Sequence, residues 1–114
     1  MIARVWTARA RPGGADAYAA HFNDHVLPVL EAVVGYEGAT LLRRARGDSI
    51  ELIVVSWWKS EDAIRGFAGD DFERAVVADE AKRLLTSFDD VVRHYEVVGA
   101  SRLPVAGLPT EARD

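Results

Sequence analysis

The chain has 114 residues, of which 49% are hydrophobic and 28% are charged, a balance typical of one soluble globular domain. Lysine and arginine total 14 against 18 aspartate and glutamate residues, so the formal charge is -4 and no basic field attracts nucleic acid or anionic lipid. The absence of cysteine excludes disulfides, thiolate metal sites and cysteine nucleophiles. The first ten residues contain two arginines among short apolar steps, which predicts neither a signal peptide nor a membrane anchor, and hence a cytoplasmic protein.

The N-terminal part predicts a strand followed by a divided helix. Apolar and polar residues alternate from Ile2 to Arg9, and the strand ends at the turn Pro12-Gly13-Gly14. Asp16 then leads into a helix whose predicted buried stripe consists of Tyr18, Phe22, Val26, Val29 and Val33. Pro28 lacks the N–H that a helix interior needs, so we expect the helix to bend or divide near Asp24.

Two strands joined by a tight turn are predicted next. Gly35 closes the helix, Tyr36 to Arg46 forms the second strand, and Gly47 lies in the turn. Ser49 to Trp58 forms the third strand. Its centre is apolar on both faces, which predicts a sheet that is covered on both sides.

The next segment predicts short helices. Ser60, followed by two acidic residues, is a good helix start. The predicted buried side chains of this helix are Ala63, Ile64, Phe67 and Ala68. Asp70 with Glu73 offers a second capping arrangement, which predicts helical pieces through Val77 and then from Asp79 to Phe88.

The C-terminal part predicts a last strand and an arm. Val91 to Val98 alternates as a fourth strand, and residues 99–114 contain two prolines and two glycines without periodicity. The order strand, helix, strand, strand, helix, strand predicts a ferredoxin-like α+β domain over residues 1–98, with a four-stranded antiparallel sheet and helices on one face. Because the bare face carries large apolar side chains, a symmetric homodimer with sheet facing sheet is predicted.

Five short segments form a pattern that is shared with one protein family. They are Trp58-Lys59-Ser60, Phe67-Ala68-Gly69, Ala75-Val76-Val77, Phe88-Asp89 and Val92-Arg93-His94-Tyr95-Glu96-Val97. This pattern resembles the antibiotic biosynthesis monooxygenase (ABM) domain group of the dimeric α/β barrel superfamily, over residues 1–98. The resemblance implies a homodimer with a small-molecule pocket between each sheet and its helices. It also implies oxygenation of small aromatic substrates with no metal, flavin or other cofactor. Two alternatives stay open because a fold does not fix a function: a non-catalytic small-molecule binding module, and an isomerase or lyase.

Two branches of that superfamily differ around the pocket. The haem-degrading branch has an asparagine on the first strand, a tryptophan at the end of the third, and an iron-ligating histidine on the following helix. The corresponding positions here are Trp6 or Thr7, then Trp58, then Val76, so the resemblance does not imply haem degradation. The quinone-forming branch keeps the tryptophan and adds asparagine, tyrosine and arginine. The third strand here carries Val54 and Val55 where an amide is expected.

His94 is the first candidate for a catalytic base, because imidazole titrates near neutral pH and can remove a phenolic proton. The first and fourth strands are predicted neighbours, so Arg4 and Glu96 can orient or charge-balance this histidine. In an isomerase or lyase, Arg4 would stabilise an enolate. The structural alternative is a hydrogen-bonded cluster that satisfies these polar groups at a dimer interface.

His21 and His25 lie four residues apart on the predicted helix, a spacing that can bring two imidazoles to one metal ion. No nearby motif supplies a third ligand, so no metal site is predicted and both are interpreted as surface or pocket-rim residues. His25 is the second candidate for a base or hydrogen-bond donor.

Aromatic residues are the candidates for binding a planar ligand. Trp57 and Trp58 point to opposite faces of their strand, and Trp58 is predicted to wall a flat slot for a small aromatic molecule. The other predicted substrate-binding residues are Trp6, Phe22, Tyr36, Phe67 and Phe72. The same side chains can equally form the packed core. Scattered basic residues and the lack of an aromatic platform predict no nucleic-acid partner.

Overall fold

The computed structural model describes residues 1–102 and shows an antiparallel sheet with helices, which confirms the predicted α+β ferredoxin-like fold. The strands are β1 (Ile2–Ala10), β2 (Tyr36–Arg46), β3 (Ser49–Trp58), β4 (Ser87–Phe88) and β5 (Arg93–Glu96). The α-helices are α1 (Pro12–His21), α2 (Leu27–Glu31), α3 (Glu61–Ala68) and α4 (Asp79–Leu84), and a π-helical turn (Phe22–Val26) joins α1 to α2. No helix within residues 1–102 has the length and apolar character needed to cross a membrane.

The predicted C-terminal arm, residues 99–114, lies mostly outside the described residues. Residues 99–102 form neither helix nor strand.

β1 lies inside the sheet, between β3 on one side and the short strands β4 and β5 on the other. β3 pairs antiparallel with β1 and with β2, and the observed bounds of β2 and β3 match the predicted ones. The fourth predicted strand is shorter than expected, because only Arg93–Glu96 form β5. This pairing sets His94 opposite Arg4.

The two faces of the sheet differ in burial. Alternate residues of β1 from Arg4 to Ala10 are buried on the face that also carries Leu52 and Trp58 of β3. The opposite face pairs Val5 with Val55 in register, and both side chains are half-buried. The helix-covered face therefore holds the core of the described chain, whereas the other face remains partly accessible.

α1 begins at Pro12, so the prediction that the helix starts near Asp16 is wrong. Proline is well suited to the first helical position because the N–H it lacks has no intrahelical partner there. The predicted division near Asp24 is observed as the π-helical turn. Such a turn inserts an extra residue, so the buried position moves from Val29, which is 56% exposed, to Leu30, which is 3% exposed.

α3 confirms the helix predicted after Ser60. The Ser60 hydroxyl oxygen accepts a hydrogen bond from the Ala63 N–H at 3.2 Å and caps the helix. Ile64 is completely buried, and Phe67 is half-buried on the same side of the helix.

The segment 70–78 is irregular, so the helix predicted there is wrong. The Ala75 N–H donates to the Asp90 carbonyl, and the Val92 N–H donates to the Glu73 carbonyl, both over 2.8 Å. These long-range bonds engage backbone groups that a helix would need for its own ladder. Tertiary pairing thus overrides the local capping signal.

α4 is shorter than the helix predicted from Asp79 to Phe88. It ends at Leu84, and Ser87–Phe88 pair with β1 as β4. The Thr86 N–H also donates to the Arg9 carbonyl at 2.8 Å. The free edge of β1 therefore takes residues that the sequence pattern assigned to a helix.

Candidate functional site

A cavity of about 300 Å³ lies between the buried face of the sheet and the helical segments. This volume is at the small end of the range for small-molecule sites. The sheet contributes the wall residues Arg4, Trp6, Val54 and Ser56, and Val92 lies immediately before β5. The first helical region contributes Tyr18, His21, His25, Val26, Val29 and Leu30. The rest of the wall consists of Phe67, Val76, Val77, Ala78, Glu80 and Ala81. The lining is mainly apolar, so its few polar groups determine which ligand it favours.

Arg4 is the charged group deepest in this wall, with 5% of its surface exposed. Its Nη1 donates to the Phe72 carbonyl, and its Nη2 donates to the Arg74 carbonyl at 3.1 Å. Nη1 also lies 3.1 Å from the Nε2 of His94. The strand places Arg4 in the wall, and bonds to the irregular segment 70–78 hold its guanidinium.

The charge of Arg4 has no acidic partner within residues 1–102, where none of the ion pairs includes it. Burial lowers the pKa of Arg4 to about 10, so the guanidinium remains a cation at neutral pH. Its central carbon lies 5.8 Å from the ring centre of Phe67, which provides a weak cation–π contact. The cavity wall therefore holds a buried positive charge.

His94 lies behind Arg4 and does not line the cavity. Arginine has no acceptor atom, so the Nε2 of His94 accepts the hydrogen bond and its Nδ1 carries the proton. The ring also meets Phe72 edge-to-face at 5.3 Å. Burial, and next the charge of Arg4, lower the pKa of His94, while Glu73 and Glu61 oppose the shift. The neutral imidazole is therefore the favoured form.

Glu96, predicted to share this cluster, is exposed and pairs with Ile2. Within the described residues it makes no hydrogen bond or ion pair to Arg4 or His94.

Two histidines line the helical side of the cavity. His21 is 9% exposed, and the centre of its ring lies 5.5 Å from that of His25 and 5.7 Å from that of Tyr18. His25 is exposed at the rim. No group of three or more histidine or acidic side chains suited to a metal ion exists within residues 1–102. The pair therefore offers imidazole nitrogens to a ligand in the cavity.

Two hydroxyl groups in the wall were not predicted as site residues. Burial raises the pKa of Tyr18 to about 12, so its phenol stays protonated at neutral pH. Ser56 is buried opposite Arg4 in the sheet, and its oxygen accepts a hydrogen bond from the Nε1 of Trp58 at 2.9 Å. Strand alternation places Ser56 on the face of Trp58, and this was the signal available in the sequence. Tyr18 reads as an ordinary core residue from its helical spacing.

The predicted aromatic residues divide between the cavity wall and the core. Trp6 and Phe67 line the cavity. Four others lie outside its wall: Phe22, Tyr36, Trp58 and Phe72. The Nε1 of Trp6 donates to the Asp89 carbonyl at 2.9 Å, which fixes its indole in the wall. The geometry thus combines a fixed aromatic surface with one buried cation and neighbouring hydroxyl groups, an arrangement suited to a planar ligand that carries negative charge.

A family model described as "Antibiotic biosynthesis monooxygenase" matches residues 1–78 of the chain. Among solved structures, a putative antibiotic biosynthesis monooxygenase from Bacillus cereus is similar with a TM-score of 0.63 and 16% identity, over 90% of this chain and 97% of that one. The haem degrader MhuD from Mycobacterium tuberculosis, which has two haems bound in its active site, is similar with a TM-score of 0.59 and 22% identity, over 90% of this chain and 100% of that one. A monooxygenase from the gene ActVA-Orf6 of Streptomyces coelicolor, in complex with nanaomycin D, is similar with a TM-score of 0.56 and 18% identity, over 90% of this chain and 91% of that one. No curated protein matches the sequence significantly.

Proposed function

This chain belongs to the antibiotic biosynthesis monooxygenase family, and from that premise we propose that it oxidises a small, electron-rich aromatic molecule with O2 in its cavity, without a cofactor. The observation that carries the proposal is the buried cation of Arg4 in the wall of a mainly apolar cavity. An aromatic anion gives electrons to O2 more readily than its neutral parent. A nearby cation favours that anion by lowering the pKa of the group that forms it.

We assign the role of base to His25 and a positioning role to His94. Both were predicted as candidate bases, but His25 lines the cavity and His94 does not. The lone pair of the His94 Nε2 is engaged by Arg4, so it is not free to take a substrate proton. The His25 imidazole lies at the rim, where a proton taken from the substrate can pass on to solvent.

In this proposal the protein supplies three things to the reaction. His25 removes a proton from the bound phenol or activated ring carbon, and Arg4 stabilises the negative charge that results. Trp6 and Phe67 hold the ring and keep bulk water away from it. The substrate anion supplies the four electrons that reduce O2, so that one oxygen atom ends on a carbon of the substrate and the other leaves as water. The ActVA-Orf6 monooxygenase supports this reading as a protein of the same fold that holds an organic ligand.

The test is O2 uptake by chelator-treated protein with a panel of anthrones, hydroxynaphthoquinols and catechols. We expect turnover by the unaltered protein, a loss of roughly 100-fold in rate for His25→Gln, and little change for Arg43→Gln. Arg43 is a suitable control because its side chain pairs with Asp16 outside the cavity. No uptake above the uncatalysed rate across the panel would move the assignment to the binding-module alternative. Exchange of a substrate proton without O2 uptake would favour an isomerase or lyase.

We also propose that the protein is a homodimer whose two sheets face each other. The support is the half-buried band of paired side chains on the face away from the helices, with Val5 opposite Val55 and Ala3 opposite Trp57. Leu42 on β2 is 50% exposed on the same face, opposite Ile53 of β3. A contiguous apolar area of this kind favours association. Light scattering should give twice the monomer mass, and Val55→Glu should reduce it to the monomer mass.

A further inference from the structure

We infer that the substrate carries a carboxylate, which pairs with Arg4 before any chemistry takes place. The inference rests on the proposed function only in taking the cavity as the substrate site. It adds the chemical class of the ligand, an aromatic monocarboxylate.

The first argument is the uncompensated charge of Arg4. A buried cation is strongly disfavoured unless an anion or several good acceptors surround it. Within residues 1–102 Arg4 has only neutral acceptors: the carbonyls of Phe72 and Arg74 and the imidazole nitrogen of His94. These acceptors orient the guanidinium without neutralising it. A ligand anion in the cavity would supply the missing negative charge.

The second argument is the number of donors that remain. A guanidinium has five N–H donors, and three are engaged by Phe72, Arg74 and His94. The remaining two lie on Nε and Nη2, which are neighbouring nitrogens, and within the described residues they have no acceptor. Two adjacent donors suit the two oxygens of a carboxylate, whereas a phenolate presents a single oxygen. The Ser56 hydroxyl, opposite Arg4 on β3, can donate a further hydrogen bond.

The third argument concerns charge and size. The described wall has one buried cation, and its one acidic side chain, Glu80, is exposed on α4. In the bound state before reaction, one cation balances a monoanion, whereas a phosphate dianion would leave excess charge in an apolar space. When the ring then loses its proton, His25 gains it, so the net charge of the site does not change in that step. The protonated phenol of Tyr18 provides a neutral donor in the same wall. A volume of about 300 Å³ accommodates a small aromatic acid rather than a large polycyclic one.

The test is binding without turnover, measured by calorimetry under anaerobic conditions with three ligands of similar shape. These are 2-naphthoate, 2-naphthamide and 2-naphthol at pH 7. We expect naphthoate to bind roughly 10- to 100-fold more tightly than the amide and the naphthol, the difference made by hydrogen bonds to a charged partner. Arg4→Gln should remove this preference and leave amide affinity unchanged within a factor of about 3. Arg43→Gln removes a cation that pairs with Asp16 outside the cavity, and it should retain the preference.

Two results would overturn the inference. One is equal affinity of the unaltered protein for acid, amide and naphthol, which decides the matter even if Arg4→Gln does not fold. The other is an acid preference that persists unchanged in a folded Arg4→Gln. Acid-selective binding without O2 uptake on any substrate would sustain the inference while the proposed function fails. O2 uptake on neutral phenols with no acid preference would do the reverse.

Discussion

Two neighbouring regions on the buried face of the sheet differ in how completely their side chains are satisfied. In the Trp58 cluster, formed by Trp58, Tyr36 and Phe67, the indole is completely buried, meets Tyr36 edge-to-face at 5.5 Å and stacks on Phe67 at 5.7 Å. Its one polar atom donates to Ser56. In the cavity, Arg4 is 5% exposed, but no acidic side chain within residues 1–102 balances its charge, and two of its donors have no acceptor there.

This contrast distinguishes side chains that stabilise the fold from a side chain that is available to bind a ligand. A side chain that is fully packed and has its polar atom hydrogen-bonded has no free group for a ligand, and its removal is expected to lower the free energy of unfolding. A buried charge that the described residues orient but do not neutralise destabilises the folded protein, so we infer that a ligand supplies the opposite charge. Ser56 and Phe67 belong to both regions, since each contacts the Trp58 cluster and also lines the cavity.

The largest expected effect is in the Trp58 cluster. Trp58→Ala should lower the free energy of unfolding by about 3–5 kcal/mol, because it empties a fully buried site. Urea denaturation measures this, with Val34→Ala as the control. Val34 is 91% exposed between α2 and β2, so its loss should be below about 0.5 kcal/mol. Equal losses for the two variants would contradict the contrast.

Gly35 supports the same region from the loop before β2, and its substitution ranks second. Its φ of +92° disfavours any side chain, and a Cβ built there would lie 2.5 Å from the Cβ of Ala63. Gly35→Ala should therefore cost about 3 kcal/mol of stability through strain and overlap together. Gly47, with φ of +60°, has no atom within 4 Å of its built Cβ. Gly47→Ala therefore measures the cost of the positive φ alone, about 1 kcal/mol of stability. Thermal unfolding of the two variants compares this loss with that of Gly35→Ala.

A substitution in the cavity should weaken ligand binding and leave stability nearly unchanged, which is the reverse of the effect expected in the Trp58 cluster. Val54→Phe places a ring in the empty space and should weaken naphthoate binding at least tenfold, which is about 1.4 kcal/mol. Its stability should change by less than about 1 kcal/mol, since filling a cavity restores contacts. Val98→Phe adds the same bulk at a site that is 90% exposed and serves as the control. Undiminished binding by Val54→Phe would mean that the ligand site lies elsewhere.

The sequence was informative where local pattern and tertiary structure agree. Strand alternation predicted the bounds of β2 and β3, and the Ser60 signal predicted α3. The segment 70–78 was mispredicted because its carbonyls at Phe72 and Arg74 bind a guanidinium about 70 residues earlier in the chain. No local pattern contains that information.

The candidate site was predictable only in part for a related reason. Arg4, Trp6, His25 and Phe67 were selected from the sequence and line the cavity, but Tyr18, His21 and Ser56 were not selected as ligand-facing residues. Periodicity tells which face of an element is buried. It does not tell whether a packed side chain or an empty space lies opposite, because this depends on how neighbouring elements meet.

The smallest expected effect tests whether His94 holds Arg4 as a neutral acceptor. Burial and Arg4 lower the pKa of His94 in the folded protein below its unfolded value of about 6.5. The unfolded chain therefore binds more protons between these two values. The stability contributed by neutral His94 is complete above pH 6.5 and is lost as the pH falls through the folded pKa. Protonation would also replace the acceptor of Arg4 with a second cation.

The measurement is the melting temperature between pH 8 and pH 5. We expect a steeper acid-side decline for the unaltered protein than for His94→Gln, which retains a hydrogen-bonding side chain but cannot titrate. The acidic residues affect both proteins alike, so the difference between the two curves isolates His94. His25→Gln removes an imidazole that makes no described hydrogen bond to Arg4, and it serves as the control for the loss of a histidine elsewhere in the cavity wall. Parallel curves for His94→Gln and the unaltered protein would mean that the proton on His94 does not matter to the Arg4 contact, and the positioning role would be lost.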